Sequence, residues 1–330
     1  MHRRSFLKGV AAVGTGIVPL SNLAHAAGGR VVPAAPYRSF CGGDMPRMLA
    51  VVSDTQRTGT LERIMLQREQ NDAARAVVLR SIADASPDAL LMLGDQVCGG
   101  DDAEAWAHFN RVMVPVRERG IPIRAMRGNH EYEGRRRECF GYFADHFPDQ
   151  CEDILHHRMR LGSLLLITLN SNFGCINPES VARQAREYAA WLKEADADPE
   201  VQGVIVASHH PPYTNSDLGA DDDVIEQFAQ PFERARKTCL FLSGHVHSYE
   251  RFVVGGKHYI TAGGGGGPRR TVRNDSGRPF TSDAYSRGTW RPFHYLTIAI
   301  EPAGLDVRTH MLIGNEFLVG DGVQIPFALA

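Results

Sequence analysis

The chain has 330 residues, 43% of them apolar and 22% charged, with a formal net charge of -2. That length can bury a sizeable core, as one large α/β domain or two smaller ones. A charge so near zero removes the long-range reason to expect a nucleic acid or an anionic membrane as partner.

The first 26 residues read as a signal peptide. Arg3-Arg4-Ser5-Phe6-Leu7-Lys8 is basic, residues 9–20 are moderately apolar, and Ala24-His25-Ala26 sets small residues where a signal peptidase cuts. The apolar run is too short for a stable membrane anchor. The paired arginines followed by Phe-Leu-Lys resemble the twin-arginine export motif. That resemblance implies a partner in the twin-arginine machinery and a periplasmic or secreted destination, reached already folded. Residues 27–45, rich in Gly, Pro and Ala, read as a linker or loosely held N-terminal arm, leaving 46–330 as the domain. All six cysteines follow the cleavage point. Six allow 15 pairings, and Cys139 with Cys151, bracketing one short polar segment, is the one pair expected.

From residue 48 the punctuation alternates. Strands are expected at 48–53, 89–93 and 121–127, with helices at 69–85 and 101–117 and Pro115 disturbing the end of the second. The second half repeats the theme with strands at 163–169, 203–208 and 239–242 and helices at 179–197 and 227–237. Short β runs follow at 251–254, 258–261, 294–300 and 305–311. Asp54, Asp95, Asn129, His209 and His245 each stand just past the C-terminal end of an expected strand. In open α/β sheets ligands bind outside those ends, so side chains far apart in sequence should converge there. His247, two residues beyond His245, would point the same way on a strand.

Ser53-Asp54-Thr55-Gln56, Gly94-Asp95, Gly128-Asn129-His130-Glu131, His209-His210-Pro211 and Gly244-His245-Val246-His247 together resemble the calcineurin-like metallophosphoesterase motifs, in that family's order. The run from Gly244 to Arg251 is most similar to the purple acid phosphatase branch. The resemblance implies a four-layer α/β sandwich, two mixed β-sheets flanked by helices, with a pair of metal ions (Fe, Zn or Mn) at its loop edge. Asp95 would bridge them. Asp54 and His247 would hold the first ion; Asn129, His209 and His245 would hold the second. A metal-bound hydroxide would attack phosphorus in line, with His130 assisting the leaving group.

Two departures bear on the first ion. Most of the superfamily has histidine where Gln56 stands, and the purple acid phosphatases have tyrosine where Cys98 stands. Gln56, Cys98 or an extra water could complete that site, or it could have one ligand fewer. A thiolate would favour zinc or iron, and a Gln oxygen manganese or magnesium. The favoured reading has Gln56 as ligand or supporting donor and Cys98 lining the pocket. Two further residues, His210 and Arg269, are substrate-contact candidates, the latter after the glycine run 263–267. Arg135-Arg136-Arg137 reads as a solvated charge run. The insert 132–160 and the loop 213–224 are expected to rim the pocket. The expected activity is hydrolysis of small phosphomonoesters. A phosphodiesterase or nucleotidase, and an exported binding protein with a weakened metal site, are the alternatives.

Overall fold

The computed structural model describes residues 36–41, 46–150, 156–285 and 287–328. The signal segment 1–26, residues 27–35 and 42–45 of the arm, and Cys151 lie outside them. Cys139 carries a free thiol that donates to the Glu133 carbonyl at 3.3 Å. Cys41, Cys98, Cys175 and Cys239 are free thiols as well.

Strand β1 (Met48–Val52) shows how the layers arise. Successive side chains of a strand face opposite ways. Leu49 and Val51 accordingly enter a core between the sheets, whereas Ala50 and Val52 enter a second core on the outer face. Both faces are buried, which is why the run is apolar throughout rather than alternating. Strands β2 (Ala89–Met92) and β3 (Ile123–Ala125) pair parallel to it in order.

In the second half, β4 (His157–Leu161) and β5 (Leu164–Thr168) form a hairpin, and β6 (Gly203–Ala207) and β7 (Thr238–Ser243) continue parallel from β5. They are followed by β8 (Tyr249–Val254) and β9 (Lys257–Ala262), then β10 (His294–Glu301), β11 (Gly304–Ile313) and β12 (Glu316–Pro326). Two mixed sheets result, ordered β12-β11-β10-β1-β2-β3 and β4-β5-β6-β7-β9-β8. Helices cover the outer faces. Behind α1 (Thr60–Met65), helices α2 (Asp72–Ala85), α3 (Ala103–Val112), α4 (Val114–Glu118) and α5 (Arg136–His146) cover the first sheet. The second sheet is covered by α6 (Pro178–Ala197) and a helical stretch through Asp222–Val224, the π-turn Ile225–Ala229 and Gln230–Arg234. The architecture is the four-layer α/β sandwich.

Several expectations change. The 101–117 helix divides at Met113, because Pro115 has no N–H to continue the ladder and is accommodated at the start of α4. The helix expected from 227 begins at Asp222, where the Asp221 carboxylate accepts from the Asp223 and Val224 amides. Strands β4 and β12 were not anticipated; both are edge strands, lacking the continuous apolar run of a buried one. The insert 132–160 is more than a rim, since Phe143 and Phe147 are buried among Trp106 and Phe109. Residues 36–41 of the arm are docked rather than loose. Tyr37 is buried, its hydroxyl donates to Asn110 at 3.1 Å, and the Phe40 amide donates to the Ile123 carbonyl at 2.9 Å.

Candidate metal centre

The parallel strands of both sheets end on one side, and the side chains that follow them meet there. Ligating atoms of Asp54, Asp95 and His247 lie within 4.8 Å of one another, and so do those of Asp95, His209 and His245. Asp95 belongs to both groups. His209 Nε2 is 3.2 Å from Asp95 Oδ2, and His247 Nε2 is 3.3 Å from Asp54 Oδ1. Asn129 joins the second group, its Oδ1 lying 3.0 Å from His245 Nδ1 and 3.3 Å from His209 Nε2.

The backbone bends sharply to do this. Asp54, Asp95, His245 and His247 have φ of 58°, 53°, 71° and 46°, a left-handed region that costs non-glycine residues of order 1–3 kcal/mol each. Packed glycines make the room. A Cβ on Gly128 would stand 2.1 Å from Asp95 Oδ1, and one on Gly94 would stand 2.5 Å from His209 Nδ1. Behind these side chains, backbone carbonyls select the tautomers. His209 Nδ1 donates to Leu93 O at 2.9 Å and His247 Nδ1 donates to Pro268 O at 2.9 Å, leaving both Nε2 atoms free to coordinate.

Glu131, quoted within the third motif but given no role in the sequence reading, organises this floor. Its carboxylate accepts the amides of Asp95 (2.9 Å), Gln96 (2.7 Å), Val97 (3.2 Å) and Gly128 (2.6 Å). Burial pushes its carboxyl up to about 7, with the Asp95 charge adding and the amide donors opposing. Asn170, Ser171 and Asn172, buried just past β5, were also missed; Ser171 Oγ meets both the amide (2.9 Å) and Nδ1 (2.8 Å) of His210. Their signal was a polar run after an apolar strand, the same pattern that marked the other positions.

His130 stands at the open side, its Nε2 4.0 Å from Asp95 Oδ2 and its Nδ1 near Cys98 O (3.3 Å) and Glu133 Oε2 (3.2 Å). Burial disfavours its charged form, but the Asp95 and Glu133 carboxylates outweigh that and raise its pKa to about 10. His210 goes the other way: burial, with His209 adding, pushes it down to about 3, so it stays neutral.

Two sequence alternatives separate here. Gln56 is fully inside the cluster. With its Nε2 donating to the carbonyls of Asp95 (3.0 Å) and Asp54 (3.2 Å), its Oε1 faces His247 Nε2 at 3.0 Å. The Cys98 side chain instead lines a cavity with Arg57, Thr58, Arg63 and Gln70, and burial lifts its thiol to about 11. It belongs to neither ligand group. Arg269 has partners of its own: its guanidinium is engaged by the Glu69 carboxylate through two 2.8 Å bonds and lies over Trp290 and Phe293, contacts that anchor its loop.

Solved structures share the fold. The purple acid phosphatase PPD1 from yellow lupin (Lupinus luteus) seeds superposes with a TM-score of 0.64 at 15% identity, over 89% of this chain and 55% of that one. This chain therefore spans about half the length of the lupin protein. GAP50, the anchor in the inner membrane complex of Plasmodium, gives 0.62 at 14% identity over 86% and 90% of the two chains. A dimetal phosphatase from Danio rerio gives 0.56 at 14% identity over 86% and 99%. Curated protein sequences contain no significant match. The sequence itself carries the kinship: residues 48–249, which hold every side chain of the cluster, match the model of the calcineurin-like phosphoesterases, and the chain belongs to that family.

Proposed function

We propose that the chain hydrolyses small phosphomonoesters with two metal ions held across Asp95. The observation that carries this reading is that one buried carboxylate is shared by two separate ligand groups. The donor set fits: carboxylate, imidazole and amide oxygen, with histidine tautomers preset by Leu93 and Pro268. Asp54, His247 and Gln56 would hold the first ion, and Asn129, His209 and His245 the second. Iron, zinc and manganese all suit such donors; with the Cys98 thiol elsewhere, no soft ligand biases the choice. Bound there, the ions would neutralise phosphoryl charge and supply a nucleophile at neutral pH.

The chain's own residues supply the rest. His130 lies at the open side, where a leaving alkoxide would take up its proton. The Cys98 carbonyl and Glu133 orient the ring. His210, kept neutral and held by Ser171, can donate to a phosphoryl oxygen without adding charge. We also propose export in folded form through the twin-arginine machinery, supported by Arg3-Arg4-Ser5-Phe6-Leu7-Lys8. Retention of an Arg3→Lys/Arg4→Lys variant in the cytoplasm would support that route, and unchanged export would refute it.

The test of the activity is hydrolysis of p-nitrophenyl phosphate and bis-p-nitrophenyl phosphate after reconstitution with Mn, Zn or Fe. Asp95→Asn should abolish turnover, and His130→Ala should lower kcat by about 10²–10⁴. Preference for the diester would replace the monoesterase reading with a phosphodiesterase. The likeness to GAP50 supports a second reading, an exported binding protein. Uptake of no metal and turnover of neither ester would favour it.

A further inference from the structure

We infer that Arg75 is a positioning residue chiefly for the first metal position, acting through the backbone that carries Asp54 and steers His247. The inference rests on the two-ion reading above. Arg75 lies in α2, is 1% exposed, and its Nε has no hydrogen-bond partner. Its carboxylate partner, Asp72, is 3.2 Å away and 30% exposed. Such a buried, half-compensated guanidinium is a poor source of stability, since apolar replacements of similar volume are often neutral or stabilising. Its contacts show another use.

One arm of the guanidinium donates to the Thr55 carbonyl at 3.2 Å, directly after the strained Asp54. The other meets His108 Nδ1 at 3.0 Å. The alkyl stem supports the glycine run 263–267. Gly266 has φ +148°, and a Cβ there would fall 2.7 Å from Arg75 Cβ and Cγ. The same run grips the first-ion ligands. The Gly265 amide donates to Ser53 O at 2.9 Å and the Gly267 amide to Asp54 O at 2.6 Å. A Cβ on Gly267 would stand 2.8 Å from the His247 ring, and the next carbonyl, Pro268 O, accepts from His247 Nδ1. Arg75 thus touches both segments that set Asp54 and His247. The second group has supports of its own, Leu93 O on His209 and the Glu131 cage under Asp95 and Gly128, and it meets this network only where Asp54 accepts the His245 amide at 2.9 Å.

The experiment is manganese binding by the full exported chain, followed by elemental analysis, calorimetric titration and electron paramagnetic resonance. Wild type should take two ions and show the signal of a coupled pair. In Arg75→Met the first position should weaken by about 10–100-fold, the range for lost outer-sphere support, with the second weakened far less. At limiting manganese that leaves one isolated ion in the second position, its signal matching that of His247→Ala and differing from that of His209→Ala, whose ion sits in the first. Arg75→Lys, which keeps the stem and loses the fork, should weaken the same position less. Two ions bound with wild-type affinity in Arg75→Met, or equal weakening of both, would overturn the inference while the two-ion reading stands. A wild-type chain that binds fewer than two ions overturns both together. Should Arg75→Met fail to melt cooperatively, Asp72→Asn decides the matter. It loosens the guanidinium from its exposed side, and selective weakening of the first ion supports the inference whereas two unaltered ions refute it.

Discussion

Replacing Glu131 by glutamine probes the floor of the site with almost no change of shape. Oε1 now accepts from the Gln96 and Val97 amides and Oε2 from those of Asp95 and Gly128. Glutamine retains one oxygen and turns its NH₂ toward the other two donors. Two bonds to a charged acceptor are lost, at about 1.5–3 kcal/mol each, and two buried N–H groups are left facing a donor. The upper sum is about 6 kcal/mol. Burial already raises this carboxyl to about 7, so part of the charge benefit is absent near neutrality and a loss of about 3 kcal/mol is expected. Urea unfolding of the metal-free chain, followed by circular dichroism, measures it. Because the four amides belong to the turns carrying Asp95 and Asn129, manganese affinity should fall at both positions. A variant within about 0.5 kcal/mol of wild type, with unchanged metal binding, would refute the reasoning.

Cys98→Ser should leave metal content unaltered, since the thiol faces the cavity beside Arg57 and Arg63; loss of an ion would restore the thiolate alternative. Arg269→Met should leave KM for p-nitrophenyl phosphate unchanged. Its ion pair with Glu69 is about 30% exposed on both sides and adds only about 1 kcal/mol of stability. A rise in KM of about tenfold at unchanged Tm would reinstate a substrate role. Glu250 gives a pH signature. Burial pushes its carboxyl up to about 7, against hydrogen bonds from Thr214 Oγ1 and the Asn215 amide. The folded state therefore holds a proton that the unfolded chain releases near pH 4.5, so this contribution is full below that pH and is lost as pH rises through 7. The span is roughly 3 kcal/mol. Unfolding of wild type and Glu250→Gln at pH 5 and 8 should show the difference shrinking in the variant; parallel pH profiles would exclude it.

Most of the fold was legible because the central strands are buried on both faces. Runs such as 203–207 carry no polar side chain because they lie between two layers, and each ends where a polar or glycine residue leaves the sheet. The edges were not legible. In β4, His157, Arg158 and Arg160 alternate with buried Met159 and Leu161. β12 contains Gly320, Asp321 and Gly322, with much of its length exposed. Such segments become strands because a neighbour offers a ladder, not through their own composition.

The sequence by itself determined which residues could be ligands. Asp54, Asp95, Asn129, His209, His245 and His247 follow strand ends, and parallel strands end on one side of a sheet whatever the loops do. Tertiary structure alone decided what each side chain touches. Gln56 and Cys98 were both open by sequence, with Gln56 favoured; the amide turns inward to His247 and the Cys98 side chain lines a separate cavity. Arg269 carried a charge suited to phosphate, and Glu69, 200 residues earlier, claims it. Glu131 and Arg75 carry no ligand pattern at all; their roles exist only because folding brings distant amides, carbonyls and a glycine run against them. Residue type limits the chemistry a side chain can perform. The direction it points and the partners that desolvate it are long-range consequences of packing, and no local spacing encodes them.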